Sequence, residues 1–340
     1  MTLPDRLSAF AYLGNDLRQL PHSDFEQLAR RATAENGWFS EASVTLALNG
    51  VDRMLEEEKL RSWALEGAPD QNVSRQIGVA MAGNIPLVGF HDFLTVLISG
   101  HRLKYKPSSR DSVLLGYIQE RLLEIEPRFD DAIESSDTLH GVDALIATGS
   151  DNTARYFEYY FRNIPHLIRK NRVSCAILRG DESGADLDQL GTDIFSYYGL
   201  GCRNVSSVFV PQGYDMQHFL ASLQAHKAVM ENHKYANNYL YQKTLAHLNK
   251  ERILDNGFVL LKENSTLVSP VATLYYETYG EESALKARLE SLAPKLQVSV
   301  SANGWFEESI PFGTAQLPLV TDYADRVDTL HFLRRVGKPR

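Results

Sequence analysis

The feature that most limits the fold of this 340-residue chain is its alternation of short apolar runs with helical segments between residues 77 and 180. Residues 77–81, 103–105, 144–148 and 173–178 read as strands bounded by Gly, Pro and polar residues. Asn84-Ile85-Pro86 predicts a helix running to about residue 99, with Asn as its cap and Pro in its first turn, and Gly100 ends it. Helical spacing recurs over 111–125 and 152–161. Strand and helix in turn are the pattern of a doubly wound α/β sheet. Beyond Cys202 a second α/β unit is expected: strand 205–210, a long helix over 214–249 with room for an interruption, strands 257–261 and 271–276, helix 280–292 and strand 296–300. Residues 1–65 read as helical, at 24–31 and 43–65, and 67–73 as a polar break. Asn-Gly-Trp-Phe occurs at 36–39 and at 303–306, too short for a repeat; each copy is expected to be an Asn-Gly turn followed by an aromatic anchor.

Composition bounds the function classes. A chain of this length holds about two domains. Two cysteines cannot form a disulfide framework, so a reducing, cytoplasmic setting is expected. The first residues show no basic region followed by an apolar core, so no secretory signal is expected. The best apolar stretch, 85–99, is interrupted by His91 and Asp92 and is too short to span a bilayer. A net charge of −8 argues against nucleic acid or an anionic membrane as the main partner.

Chemistry-bearing residues are few. Cys202 lies in Tyr198-Gly199-Leu200-Gly201-Cys202-Arg203-Asn204, between a helix-like stretch at 187–198 and the strand at 205–210. A thiol at a Gly-flanked junction is open to a substrate, and nearby N–H groups and Arg203 favour the attacking thiolate. The alternative is a buried thiol acting as a small hydrophobe, which is the expected role of Cys175 inside 173–178. Lys106 and Arg110, in Lys106-Pro107-Ser108-Ser109-Arg110, have the charge to hold a nucleotide's ribose or phosphate; the alternative is a solvated loop. Backbone N–H groups of Thr148-Gly149-Ser150, between a strand and a helix, suit a phosphate, though an ordinary turn reads the same way. The basic residues Arg155, Arg162, Arg169, Lys170 and Arg172 are expected on a solvated face. Asn84 suits a helix cap, and His91 a packed or surface position. The chain has no GxGxxG, GxxxxGK[ST], HExxH, CxxC or GxSxG, so metal and P-loop chemistry are not expected.

The order of these motifs resembles that of the aldehyde dehydrogenase superfamily. Gly83-Asn84-Ile85-Pro86-Leu87, Tyr105-Lys106-Pro107-Ser108-Ser109, Ala147-Thr148-Gly149-Ser150, Gly201-Cys202 and Val208-Phe209-Val210 follow one another as that family's Asn turn, Lys-Pro-Ser strand end, Thr-Gly-Ser turn and nucleophile loop do. The longer strings GNIPLVGFHDFLTVLISGH, ATGSDNTARYFEYYF, YYGLGCRNVSSVFVP and PFGTAQLPLVTDYADRVDTLHFL are similar to the acyl-CoA reductase branch, which includes the fatty-acid reductase of bacterial bioluminescence. The likeness covers residues 77–335. It implies an aldehyde-dehydrogenase-like fold, with a Rossmann-type cofactor domain at 1–175 and 312–340 and a catalytic α/β domain at 176–311. It makes Cys202 the nucleophile, and Asn84 an oxyanion donor beside the Cys202 N–H. It puts Lys106 and Ser108 at the adenosine ribose, and Ser150, within Thr148-Gly149-Ser150, near the pyrophosphate.

Two departures from the superfamily pattern bear on the reaction. Ile177 stands where aldehyde-oxidising members carry the glutamate that activates water for thioester hydrolysis. Thr266 stands where they carry a glutamate near the nicotinamide ribose, which leaves that contact open. Ser109-Arg110 replaces the carboxylate that favours NAD, so NADPH is expected over NADH. The resemblance therefore implies a reductase that converts an acyl-CoA or acyl-carrier thioester into an aldehyde through a Cys-bound acyl group. A Cys-dependent acyltransferase or thioesterase without a redox step, and a non-catalytic partner-binding relative, are the alternatives. A homo-oligomer, or a partner enzyme in acyl transfer, is left open.

Overall fold

The structure, a computed structural model, describes residues 1–66, 73–149 and 151–338. Most of the expected break at 67–73 lies outside them. The chain forms two compact units, Met1–Asn171 with Pro318–Arg340, and Arg172–Leu317.

The first unit opens with four helices, α1 (Leu3–Arg18), α2 (His22–Glu35), α3 (Glu41–Met54) and α4 (Glu57–Leu65). α1 starts on a capping box between Thr2 and Asp5. The single helix expected over 43–65 is two, because the chain bends at Leu55. That buried side chain lies against α1 at Gly14, where an added Cβ would come within 2.9 Å of the Leu55 Cβ. There follow β1 (Gln76–Ala80), α5 (Phe90–Ile98), β2 (Arg102–Lys106), α6 (Ser112–Ile125), β3 (Ile133–Ser135), β4 (Ala144–Thr148), α7 (Asp151–Tyr160) and β5 (His166–Arg169). The strands form a parallel sheet in the order β3-β2-β1-β4-β5. This is the Rossmann-type order, in which the connections reverse between β1 and β4. In register, Ala80 at the end of β1 pairs with Lys106 and Ala147, so three strands finish along one edge. α5 is buried at every residue but His91, with Phe93 edge-on to Phe10 of α1.

The second unit comprises β6 (Val173–Ile177), α8 (Gly184–Phe195), β7 (Val205–Pro211), α9 (Met216–Ser222), α10 (His233–Leu248), β8 (Leu254–Asp255), β9 (Leu260–Glu263), β10 (Thr273–Tyr279), α11 (Glu282–Leu292), β11 (Leu296–Ser301) and β12 (Ser309–Pro311). Its sheet runs β12-β11-β6-β7-β10-β9-β8 and is parallel except for β8. The expected long helix at 214–249 is interrupted by the 3-10 stretch Leu223–Glu231. Asn232 then caps α10 by accepting from the N–H groups of Lys234 and Tyr235. A domain boundary at 175 would cut β6, whose residues Val173 to Ile177 all pair within this sheet; the division falls instead after Asn171.

The chain returns to the first unit with α12 (Thr329–Val336). There the Arg169 guanidinium of β5 meets the Asp92 carboxylate of α5 in two bonds of 2.6 and 2.9 Å, and donates to Thr329 Oγ1 at 2.7 Å. Arg169 is 4% exposed; the expected solvated basic face does not include it. Both Asn-Gly-Trp-Phe copies make turns. Asn36 accepts from Trp38 N–H and is followed by the fully buried Phe39, and Asn303 takes a left-handed φ of 53° before the half-buried Trp305. Among the described residues no helix is long and apolar enough to cross a membrane.

Candidate active site

The two thiols sit in opposite environments. Cys175 is central in β6, fully buried with Ile177, Phe209 and Leu285. Burial pushes its thiol up to about 12, only partly opposed by the bond to Ser299, so at neutral pH it is a protonated, inert group. Cys202 is half-buried in the turn that leads into β7. The chain approaching it is strained. α8 ends at Phe195, and Tyr197, Tyr198, Gly199 and Gly201 all take left-handed φ values of 50°, 61°, 78° and 97°. For the two tyrosines this conformation is unfavourable, and such strain persists only where surrounding contacts over-determine it.

The chain just beyond the strained residues is tied down. Ser174 of β6 donates its hydroxyl to the Cys202 carbonyl at 3.1 Å and its N–H to the Asn204 carbonyl at 2.9 Å. Arg203 donates Nε to the Ala315 carbonyl. Asp193 of α8, with no exposed surface, accepts from the N–H groups of Gly313 and Ala315 at 2.7 and 2.9 Å. Burial pushes the Asp193 carboxyl up to about 7, against those two N–H groups and the Arg203 charge. Arg203, expected to favour the thiolate, is thus engaged with the 313–315 segment. Ile177, at the position where the superfamily pattern has a glutamate, is a fully buried aliphatic side chain. Thr266 is exposed and bonds to Asn264.

In the first unit, the residues expected to hold a cofactor line the carboxyl edge of the parallel sheet. In open α/β sheets that edge, at the reversal of strand order, is where ligands sit. Lys106 ends β2 and is exposed; Thr148 ends β4. Ser108, half-buried, accepts the Arg110 N–H at 3.2 Å, and Arg110 is exposed. Gly149 lies against Thr153, 2.8 Å from where a Cβ would stand, so a side chain there would obstruct the turn. Ser150 lies outside the described residues. Gly83 lies against Ser108, whose Cβ would be 2.6 Å from an added Cβ. The 83–86 turn and the 106–110 loop are therefore neighbours. Exposed cations, a hydroxyl and a close-approach glycine on this edge fit a dinucleotide's phosphates and ribose.

Asn84 is not a helix cap. α5 begins at Phe90 behind Gly89, because Leu87 takes a φ of 56° and cannot continue a helix. The Asn84 side chain is exposed, in a bend, and makes no hydrogen bond among the described residues. His91 is fastened by Nε2 to the Val320 carbonyl at 2.8 Å, beside Trp63 and Tyr323. Burial lowers its pKa, keeping the ring neutral, and these contacts give it a packing role.

Sequence reading missed the supports of the 106–111 loop. Glu35, at the end of α2, caps α6 from outside: its carboxylate accepts from Ser112 N–H at 2.9 Å, from the Ser112 hydroxyl and from Val113 N–H at 3.3 Å. Asn36 donates to the Arg110 carbonyl at 3.3 Å. Asp111, the first residue of the helix expected over 111–125, is 4% exposed and accepts the Leu87 N–H at 2.7 Å. Among the described residues no cluster of His, Cys, Asp and Glu is placed to hold a metal.

Two parallel sheets, one Rossmann-type and one with a cysteine turn before a central strand, define an aldehyde-dehydrogenase-like α/β fold. Solved structures share this fold. The chain aligns over 99% of its length with 85% of aldehyde dehydrogenase 21 from Physcomitrella patens, in complex with succinate, at 12% identity and a TM-score of 0.67. It aligns over 91% with 74% of the P. syringae indole-3-acetaldehyde dehydrogenase, in complex with NAD+ and IAA, at 14% identity and 0.67. An E. coli NADP dependent enzyme matches over 88% of this chain and 73% of its own, at 13% identity and 0.64. No family model matches the chain, and no curated protein matches it in sequence. At these identities the likeness is one of fold.

Proposed function

We propose that the protein is an NADPH-dependent reductase that converts an acyl thioester, as acyl-CoA or an acyl carrier, into an aldehyde. The observation that carries the reading is the strained turn that presents Cys202. Its left-handed residues and the tethers from Ser174 hold a half-buried thiol at the start of a parallel strand, while Cys175 is sealed in the core. Solved neighbours bind NAD+ or are NADP dependent by description, which supports a nicotinamide cofactor on the first unit's sheet edge.

The Cys202 thiolate attacks the thioester carbonyl. A carbon–sulfur bond to Cys202 forms, and the bond to CoA breaks as CoA leaves and takes a proton. The Cys202 N–H and the Asn84 amide are assigned the oxyanion, and one such donor contributes about 2.7–4 kcal/mol in the transition state. NADPH, when bound, would supply the hydride that takes the acyl carbon to the aldehyde level. The bond to Cys202 then breaks, the aldehyde leaves and the thiolate is regenerated. The net change is thioester, NADPH and a proton to aldehyde, CoA thiol and NADP+. Ile177 supports this direction, because a buried aliphatic chain there cannot activate water against the acyl-enzyme. Lys106, Ser108 and Arg110 are assigned the adenosine ribose with its 2′-phosphate, and the Thr148-Gly149-Ser150 turn the pyrophosphate.

Mixing the protein with a panel of acyl-CoAs and either NADPH or NADH tests this, read by absorbance loss, aldehyde formation and intact mass. The expected results are an acyl adduct on wild type and on Cys175→Ser, none on Cys202→Ser, and faster turnover with NADPH. Adduct formation followed by CoA release and free acid, with no NADPH consumed, would favour a thioesterase instead. An adduct retained by Cys202→Ser removes that residue from the reaction.

A further inference from the structure

The 83–89 turn and the 106–111 loop are two separate stretches of the carboxyl edge, joined by one side chain. The Asp111 carboxyl accepts the Leu87 N–H at 2.7 Å through Oδ2, while its own N–H donates to the Ser108 carbonyl at 3.2 Å. Leu87 is the left-handed residue that keeps the turn from becoming helix. Next to this bond, Gly83 and Ser108 are in direct contact. The Asp111 side chain is buried, and Oδ1 receives no protein donor. We propose that Asp111 is a positioning residue for the cofactor, a pH-sensitive staple that couples the Asn84 turn to the Lys106-to-Arg110 loop and loosens NADPH binding when it ionises. The inference rests on the assignment of that loop to the NADPH ribose.

The electrostatics set the direction. Burial pushes the Asp111 carboxyl up to about 8; the Leu87 N–H opposes this and the Glu35 charge adds to it. Glu35, from α2, is the charged group whose field acts on Asp111, and Arg110 is its exposed chain neighbour. At pH 7 the neutral carboxyl accepts from Leu87 and places no charge under the loop. Above about pH 8 the carboxylate is formed with one donor for two oxygens. It then adds a negative charge one residue from Arg110, where a 2′-phosphate is to bind.

The test is NADPH binding, followed by cofactor fluorescence from pH 7 to 9.5, on wild type, Asp111→Asn and Asp111→Leu. For wild type the Kd is expected to rise by about tenfold across this range, a size suited to one added charge in a partly buried site. Asp111→Asn keeps an acceptor for Leu87 but cannot ionise, so the rise is expected to vanish. Asp111→Leu loses the acceptor, so its binding is expected to be weak at every pH, with thermal melts reporting whether it is folded. A flat wild-type profile, or an Asp111→Asn profile that still rises, overturns the staple while leaving the cofactor assignment standing. Folded wild type that binds no NADPH at any pH overturns both.

Discussion

At the scale of single residues, the two cysteines show how far identity and position carry. Cys175 sits inside an apolar run, and its inert role is legible from its neighbours. Cys202 sits between Gly201 and Arg203, but the strain at Tyr197 and Tyr198 appears only in three dimensions. Asn84 is the instructive error. An Asn before Ile-Pro carries the local signal of a helix cap, yet the helix starts five residues after Ile85 because the Asp111 bond and the φ of Leu87 hold the turn open. That separates the two roles of Asn84. With no cap bond to lose, Asn84→Ala is expected to change stability by less than about 0.5 kcal/mol. If the amide stabilises the oxyanion, kcat is expected to fall by about a hundredfold. Melts and steady-state rates on one preparation decide this, and an unchanged kcat removes the residue from the mechanism. Asp111 and Asp193 share a linkage. Each keeps its proton in the fold where the unfolded chain, with a pKa of about 4, has lost it. Their contribution to stability is therefore fully present below about pH 4 and is lost as pH rises through about 8 and about 7 respectively.

At the scale of elements, helix ends depend on partners that lie far away in sequence. α6 has no cap bond from its own Asp111; Glu35, 77 residues earlier, supplies it. This also gives the N-terminal helices a task, since α2 ends on the loop assigned to the cofactor. Glu35→Ala is expected to cost about 1 kcal/mol, the usual loss of a cap, read as a lower melting temperature. Glu35→Gln removes the charge that raises Asp111, so it is expected to move the alkaline limb of NADPH binding to lower pH. A limb that stays in place argues that Glu35 acts only as a cap. The interruption of the expected 214–249 helix has a local cause, since Asn232 starts α10 afresh. β3, β5, β8 and β12 are two to four residues long and carry too little periodicity to stand out as strands.

At the scale of the whole molecule, the chain leaves its first unit at Asn171 and comes back at Pro318. The return is secured by a buried group: Arg169 of β5 binds Asp92 of α5 and Thr329 of α12. His101 adds a bond of 3.0 Å to the Leu333 carbonyl. Asp92→Ala leaves the guanidinium buried without its carboxylate, and a loss of about 3–5 kcal/mol is expected, measured by denaturant unfolding. A loss below about 1 kcal/mol means that water reaches Arg169 in the mutant.

The alternation of strand and helix was enough to specify a doubly wound sheet, because apolar period and chain direction are local properties of the residues. The motif order placed Lys106, Thr148 and Gly149 at strand ends for the same reason. What folding alone decided are the contacts between segments far apart in the chain: Glu35 on α6, Asp111 on Leu87, Asp193 on the 313–315 loop and Arg169 on Asp92. Each joins a polar group to a partner dozens of residues or more away, or to a backbone N–H that any residue could offer. Such pairings leave no periodic trace in the chain. They exist because a polar group taken out of water must find a partner within about 3 Å, and which partner lies there is set by how the layers stack.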